Sequence, residues 1–118
     1  MSSRIFTTRV AGTTYENRQE LLAELSMLNQ SDYPPCRLEP EPTNAYDPNA
    51  IKVMVAIAPG EVKHAGYIPK DLAKQIAPYL EGEALMCSIV EINGGFVMFD
   101  GSIANRGLVI RVELPERK

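Results

Sequence analysis

The sequence predicts a mainly β domain: a small, curled antiparallel sheet or barrel of about six strands, with two helices between them. Three observations lead there. Short runs rich in β-branched and aromatic residues recur along the chain, divided by Gly, Pro and Asn turn signals. Two other segments carry apolar residues at helical spacing. And 118 residues with 45% hydrophobic and 23% charged side chains are enough for one core, not two.

Taken in order, Arg4 to Ala11 reads as the first strand, and Gly12 to Glu16 as a loop. Asn17 is placed to cap a helix, with Glu20 as its capping-box partner. Leu21, Leu22, Leu25 and Leu28 give that helix one apolar face, and Asn29 can end it in a left-handed conformation. After the Pro34-Pro35 loop, Cys36 to Glu41 is a short strand. Three prolines and two asparagines between Pro40 and Asn49 exclude regular structure there. Ala50 to Ala58 is the strongest strand. Ile51, Val53, Val55 and Ile57 share one face, and Met54 and Ala56 keep the other mostly apolar, as a central or barrel strand requires. Pro59-Gly60 turns the chain into a return strand, Val62 to Ile68. Pro69 opens a second helix, whose buried stripe is Leu72, Ala73, Ile76, Ala77 and Leu80. Pro78 tightens or ends it early, and Gly82 stops it. Ala84–Ile92, Phe96–Phe99 and Leu108–Leu114 read as the remaining strands, joined by Asn93-Gly94-Gly95 and Asn105-Arg106-Gly107.

Composition narrows the function. The net charge of −3 argues against a broad, nonspecific grip on duplex DNA, though not against a small local site. Cys36 and Cys87 match no zinc spacing and read as buried free thiols rather than a bridge. With His64 the single histidine, neither a structural zinc site nor an acyl-transfer triad has its residues. No apolar run approaches a membrane span and no export signal opens the chain, so the expectation is a soluble, cytoplasmic protein with no membrane contact. No catalytic set, metal site or cofactor motif is expected.

Two segments hold the interest. In residues 41–53, Asn44, Asp47 and Asn49 can bond their own backbone and shape a tight turn into the strong strand. Tyr46 is less well explained by that turn, since an aromatic beside prolines is either packed down or offered to a partner. Asn, Tyr and Asp together on a loop could stack a base and hydrogen-bond its edge. In residues 63–74, Lys63, Lys70 and Lys74 stand against one acid, Asp71, where a strand turns into a helix whose free N–H groups can receive a phosphate. A solvated face with a capping aspartate explains that segment equally well. Tyr15 in the first loop could pin the helix to the body or supply a second stacking face, and Phe96 beside Gly94-Gly95 has the same two uses, with core packing favoured.

Taken together, Val10-Ala11-Gly12 with Tyr15, the run from Pro42 to Val53 (PTNAYDPNAIKV) and Gly66-Tyr67-Ile68-Pro69-Lys70 followed by Leu72-Ala73 resemble the HIRAN domain. That domain occurs at the N-terminus of SWI/SNF-type DNA repair helicases with ubiquitin-ligase activity, and as a standalone bacterial or phage protein. The resemblance covers about residues 8–112, so residues 1–118 read as a single HIRAN-like domain. It implies a modified OB-like β-barrel that binds single-stranded DNA, in the best-understood members at a free 3′ end. It also implies that the loop of Asn44, Tyr46 and Asp47 grips the terminal nucleotide and its hydroxyl, that Tyr15 is the first-loop tyrosine, and that Lys70 touches a phosphate. Thr14 and Glu16 stand where the end-binding helicase domains have arginine and a second tyrosine, and Tyr67 stands where they have histidine.

The expected function is therefore a binding module for single-stranded DNA or DNA 3′ ends, not an enzyme. Tyr15, Tyr46 and Tyr67 would sandwich terminal bases, with Phe96 as a further DNA-binding residue. Asn44 would read a base edge, Asp47 would accept the 3′ hydroxyl, and Lys70 would hold the adjacent phosphate. A helicase or nuclease partner is then the expected source of any enzyme activity. Two alternatives compete. A metal-dependent phosphodiester hydrolase would use Asp47 with Asp71 or Asp100. A protein-interaction module that has lost DNA binding would suit the acidic balance and the Thr14 and Glu16 departures.

Overall fold

A computed structural model describes residues 4–15, 17–80 and 85–114. Its elements are β1 (Arg4–Arg9), α1 (Arg18–Ser26), β2 (Cys36–Pro40), β3 (Ile51–Ala58), β4 (Glu61–Tyr67), α2 (Lys70–Ile76), β5 (Leu85–Asn93) and β6 (Gly107–Leu114). The fold is mainly β. All six strands are antiparallel and form one sheet in the order β1-β6-β5-β2-β3-β4. The ladder does not close, but its two outer strands meet. Just past β1, Ala11 pairs with Tyr67 at the end of β4, exchanging N–H···O bonds of 2.7 and 2.8 Å. Curling the sheet until its edges touch gives a small barrel-like body compatible with an OB-like fold.

Alternation along the strands builds the core. Ile51, Val53 and Val55 of β3, Leu38 of β2, and Leu108, Ile110 and Val112 of β6 all point into it. Leu21, Leu22 and Leu25 anchor α1 against it, and Ala73, Ile76 and Leu80 anchor the second helical segment. Pro78 acts as the sequence implies: α2 ends at Ile76, and a 3₁₀ turn continues to Leu80. Three bulges bend the sheet among the described residues, one of them at Ile57 of β3, between the pairs Ala56–Val62 and Ala58–Glu61. In β4, Val53 pairs with Gly66 and Met54 with His64, which leaves Ala65 as the extra residue; in β5, Val90 is extra in the same way.

Four expectations are corrected. Phe96–Phe99 is not a strand but one side of a hairpin arm between β5 and β6, tied by the single bridge Val97–Ile103 and lacking a neighbouring strand on which to bury a face. Phe96, Val97, Phe99 and Ile103 are consequently exposed, so Phe96 does not pack into the core. Asn17 precedes α1 but makes no capping bond with its side chain, because its backbone (φ −97°, ψ 20°) is not the extended one a capping side chain needs. Leu28 is exposed and Asn29 is extended (φ −71°, ψ 152°): the helix has already stopped at Met27, and a 3₁₀ turn follows at Gln30–Asp32. The stop signal placed at Gly82 and the strand start at Ala84 lie outside the described residues.

The meeting of the sheet's edges depends on a glycine. A Cβ on Gly66 would lie 2.4 Å from the Ala11 carbonyl oxygen and 2.6 Å from Val10 Cγ1, and its φ of +151° disfavours any other residue. Gly66→Ala should therefore lower unfolding stability by about 2–4 kcal/mol in urea titrations. Gly60→Ala, at φ +77° but with nothing within 4 Å of the added carbon, should lower it by only about 1 kcal/mol.

Candidate nucleic-acid interface

Two adjoining hollows, of about 380 and 590 Å³, open where the sheet's edges meet. Ala11, Asn44, Tyr46, Asp47, Tyr67 and Lys70 are among the residues lining the smaller; Gly12, Tyr15, Arg18, Asn44, Tyr46 and Tyr67 line the larger. Asn44, Tyr46 and Tyr67 are common to both. Three loops are thus brought together: the one after β1, the β2–β3 loop, and the β4–α2 junction. Of the seven side chains singled out in the sequence, Tyr15, Asn44, Tyr46, Asp47, Tyr67 and Lys70 lie here. Phe96 lines neither hollow and stands on the arm.

The β2–β3 loop is built by its own side chains. Asn44 Oδ1 accepts hydrogen bonds from the backbone N–H groups of Tyr46 (2.8 Å) and Asp47 (3.0 Å). One Asp47 oxygen accepts from the Asn49 N–H (2.9 Å), and the Ala50 N–H closes onto the Asp47 carbonyl. The second Asp47 carboxylate oxygen has no hydrogen bond among the described residues. These bonds leave Tyr46 at the loop's crest with its ring 96% exposed. Burying or exposing a tyrosine is decided here by the backbone turn beneath it rather than by any packing partner.

Two residues that sequence reading missed hold the site together. Glu41, where β2 runs out, accepts on Oε1 from Asn44 Nδ2 (2.7 Å) and from the Tyr67 hydroxyl (3.0 Å), while Lys52 Nζ lies 3.9 Å from Oε2. One carboxylate therefore ties the tyrosine loop to β4. The other is Arg18, the one charged side chain that is buried among the described residues. Its guanidinium donates to the Gly12 carbonyl (2.7 Å), sits 5.4 Å from the centroid of the Tyr67 ring, and approaches His64 Nδ1 at 3.5 Å. His64 meets the Tyr67 ring edge-on, at 4.9 Å and 85°. A cation in the first turn of a helix opposes the macrodipole, and that misfit was the available signal that Arg18 has tertiary work.

Tyr67 is in consequence fixed by its ring and its hydroxyl alike, while Tyr15 and Tyr46 stay exposed and available. Lys70, at the first position of α2, is exposed and makes no ion pair among the described residues. The arm is fastened to this region as well. Gln19 Nε2 donates to the carbonyls of Arg106 (2.8 Å) and Thr13 (3.0 Å), and its Oε1 accepts from the Arg106 N–H (2.8 Å). Asp100, raised as a possible metal ligand, lies on that arm with its carboxylate accepting from Ser102, and does not line either hollow. Glu16 lies outside the described residues. Among the described residues no three His, Cys, Asp or Glu side chains form a metal-binding group, and no helix is long and apolar enough to cross a membrane.

Comparison with known proteins gives one match. The family model described as the HIRAN domain matches residues 4–95, more than three quarters of the chain. No curated protein and no solved structure matches.

Glu41 gives the site a pH dependence. The hydrogen bond from Asn44, then that from Tyr67, with Lys52 and His64 nearby, hold its carboxyl below the ordinary value of 4.5 against the opposing effect of burial. The unfolded chain therefore takes up this proton first as the pH drops. Stabilisation by Glu41 is complete above pH 4.5 and lost as the pH falls through the lower folded value. Glu41→Gln should cost about 1–2 kcal/mol near neutrality. The gap between the melting temperatures of wild type and variant should narrow progressively below pH 4.5. A gap that stayed constant with pH would show that the Glu41 charge is not what holds the loop.

Proposed function

The chain belongs to the HIRAN domain family, generally modules that bind single-stranded DNA, and on that premise we propose that the two hollows receive the unpaired nucleotide at a DNA 3′ end. The supporting observation is one of placement: two exposed tyrosines, a carboxylate with one oxygen free and a lysine without an ion pair among the described residues line two adjoining hollows. Their volumes fall within the range of small-ligand clefts, about 300–1,000 Å³.

Tyr46 stacks on the terminal base, with Tyr15 offering the second aromatic face. The free oxygen of Asp47 accepts the 3′ hydroxyl. A phosphate there would set two negative groups against each other and be refused. Lys70 pairs with the preceding phosphate, and Arg18 supplies a fixed positive charge at the floor. Asn44 has a different part from reading a base: both its oxygen's bonds and one of its N–H groups are already committed to the loop, so it holds Tyr46 and Asp47 in position. Phe96, on the arm fastened beside the first loop, offers a further stacking face to the strand leading away. In this reading the domain binds ends, and a helicase or nuclease partner performs any chemistry on them.

One observation favours a second reading, a protein-interaction module: the arm carries five exposed large apolar side chains, Phe96, Val97, Met98, Phe99 and Ile103, outside the hollows.

Fluorescence anisotropy at low salt separates these. A short single strand ending in a 3′ hydroxyl should bind about tenfold tighter than its 3′-phosphorylated twin, which is about 1.4 kcal/mol. Equal affinities would remove the end-recognition claim, and no binding of either strand would leave the protein-interaction reading. Tyr46→Ala should weaken binding by about 1–3 kcal/mol, the worth of one stacked base. Lys70→Ala should lower the slope of log affinity against log salt by about 0.7, the share of one phosphate on a single strand.

A further inference from the structure

The sheet has a seam. Its strands divide into β1-β6-β5 and β2-β3-β4, and these halves join where β2 meets β5 and, at the outer edges, through the Ala11–Tyr67 bridge. Among the described residues the β2–β5 junction opposes Cys36 with Cys87, Arg37 with Met86, and Leu38 with Leu85. The two cysteines of the chain are therefore directly opposite each other across the seam. Both are free and buried, and their Sγ atoms lie 2.7 Å apart.

We propose that Cys36 and Cys87 are a redox modification site, joined into an intramolecular disulfide when the domain meets hydrogen peroxide. A disulfide has S–S of about 2.04 Å and needs its two Cα atoms within about 7 Å. Opposed positions on neighbouring antiparallel strands satisfy the second condition, and the sulfurs need to close by only tenths of an ångström. No strand has to move. Competing partners are also absent, since the chain has no third cysteine.

The step balances as follows. One thiolate attacks an oxygen of the peroxide, breaks the O–O bond and becomes a sulfenic acid, releasing hydroxide. The second sulfur displaces hydroxide from the first and forms the S–S bond. The two thiol protons and the two hydroxides leave as water. Two electrons pass from the sulfur pair to the peroxide. A small oxidant suits the access: Cys36 lines a shallow hollow with Pro35, Met54 and Met86, and Cys87 lines another with Ser88 and Arg111. Larger oxidants such as a glutathione disulfide have no room to form a mixed disulfide on thiols this buried.

The reaction will be slow at neutral pH. The hydrogen bond with Cys36 and the burial around it both push the Cys87 thiol upward, so the attacking thiolate is scarce. The pair is accordingly a lasting staple and not a rapid sensor. It would close a loop between positions 51 residues apart and fasten β2 to β5.

The test uses the full chain, reduced or treated with hydrogen peroxide, then unfolded and alkylated with iodoacetamide. The treated chain should take up no label, weigh two hydrogens less than the reduced chain, and melt higher by on the order of 10 °C. Formation should quicken as the pH is raised. Cys36→Ser and Cys87→Ser should each abolish the mass loss and the shift in melting. The wild-type comparison stands alone should either variant fail to fold. Two labels on the treated chain, a disulfide-linked dimer, or sulfinic acid at one cysteine would each overturn the proposal.

Discussion

The structure depends on two backbone hydrogen bonds between Ala11 and Tyr67. Without them the sheet would be an open ribbon, and the loop after β1 would lose its backbone tie to the loops after β2 and β4, which β3 already sets side by side. With them the outer strands touch and the three loops crowd one end. Such contact requires two backbones to approach more closely than a side chain permits, which is why Gly66 lies beside the pair. The bulge at Ala65 completes the device. By inserting one residue it changes which face the end of β4 presents, and it delivers Tyr67 to the hollow instead of continuing the strand's earlier alternation.

Once the edges meet, a second layer of polar bonds sets the site's rigidity. Glu41 is joined to Asn44 and Tyr67, and Asn44 in turn holds two backbone N–H groups. A chain of satisfied, partly buried polar groups specifies one geometry strongly, because each group left without its partner would bear a desolvation cost. The division of labour follows from it. Tyr67, Asn44, Glu41 and Arg18 are committed to one another and form the frame. Tyr15, Tyr46, Lys70 and one oxygen of Asp47 are left over, and only groups left over can meet a ligand without first breaking something.

Alternation and punctuation made most of the architecture legible. The β3–β4 hairpin with its Pro59-Gly60 turn, and the shortening of the second helix at Pro78, follow from local rules and are found within a residue or two of where those rules place them. The Phe96–Phe99 segment misled for a physical reason: β propensity records the fit to a half-buried pleated surface, and the arm has no such surface to lie against. Leu28 likewise sits at helical spacing on a helix that has already ended. At the site, the residues with a conspicuous local pattern could be found from the sequence, as the loop of Asn44, Tyr46 and Asp47 was. Glu41 could not, and for Arg18 the sequence shows only a cation set against the helix dipole, not what it meets. Their roles are contacts across the fold, Arg18 to His64 and Glu41 to Tyr67, and no local pattern encodes a partner tens of residues away.

The proposed reading asks an acidic chain to present a place for a phosphate, and there charge would act through position rather than total. Salt screens exposed charges beyond roughly 8–10 Å, so the acids scattered over the remaining surface contribute little at the hollows. Arg18 differs in kind from those charges. It is buried, fixed by the Gly12 carbonyl and held over the Tyr67 ring, so its guanidinium keeps one position. The first loop has Thr14 where the end-binding helicase domains have arginine, but a cation reaches the same hollow from beneath, four residues later in the chain. In the proposed reading, Arg18 would supply from the pocket floor a positive charge that the first-loop surface lacks at Thr14. Discrimination among anions would then fall to Asp47, whose carboxylate would tolerate a hydroxyl beside it and oppose a second negative group.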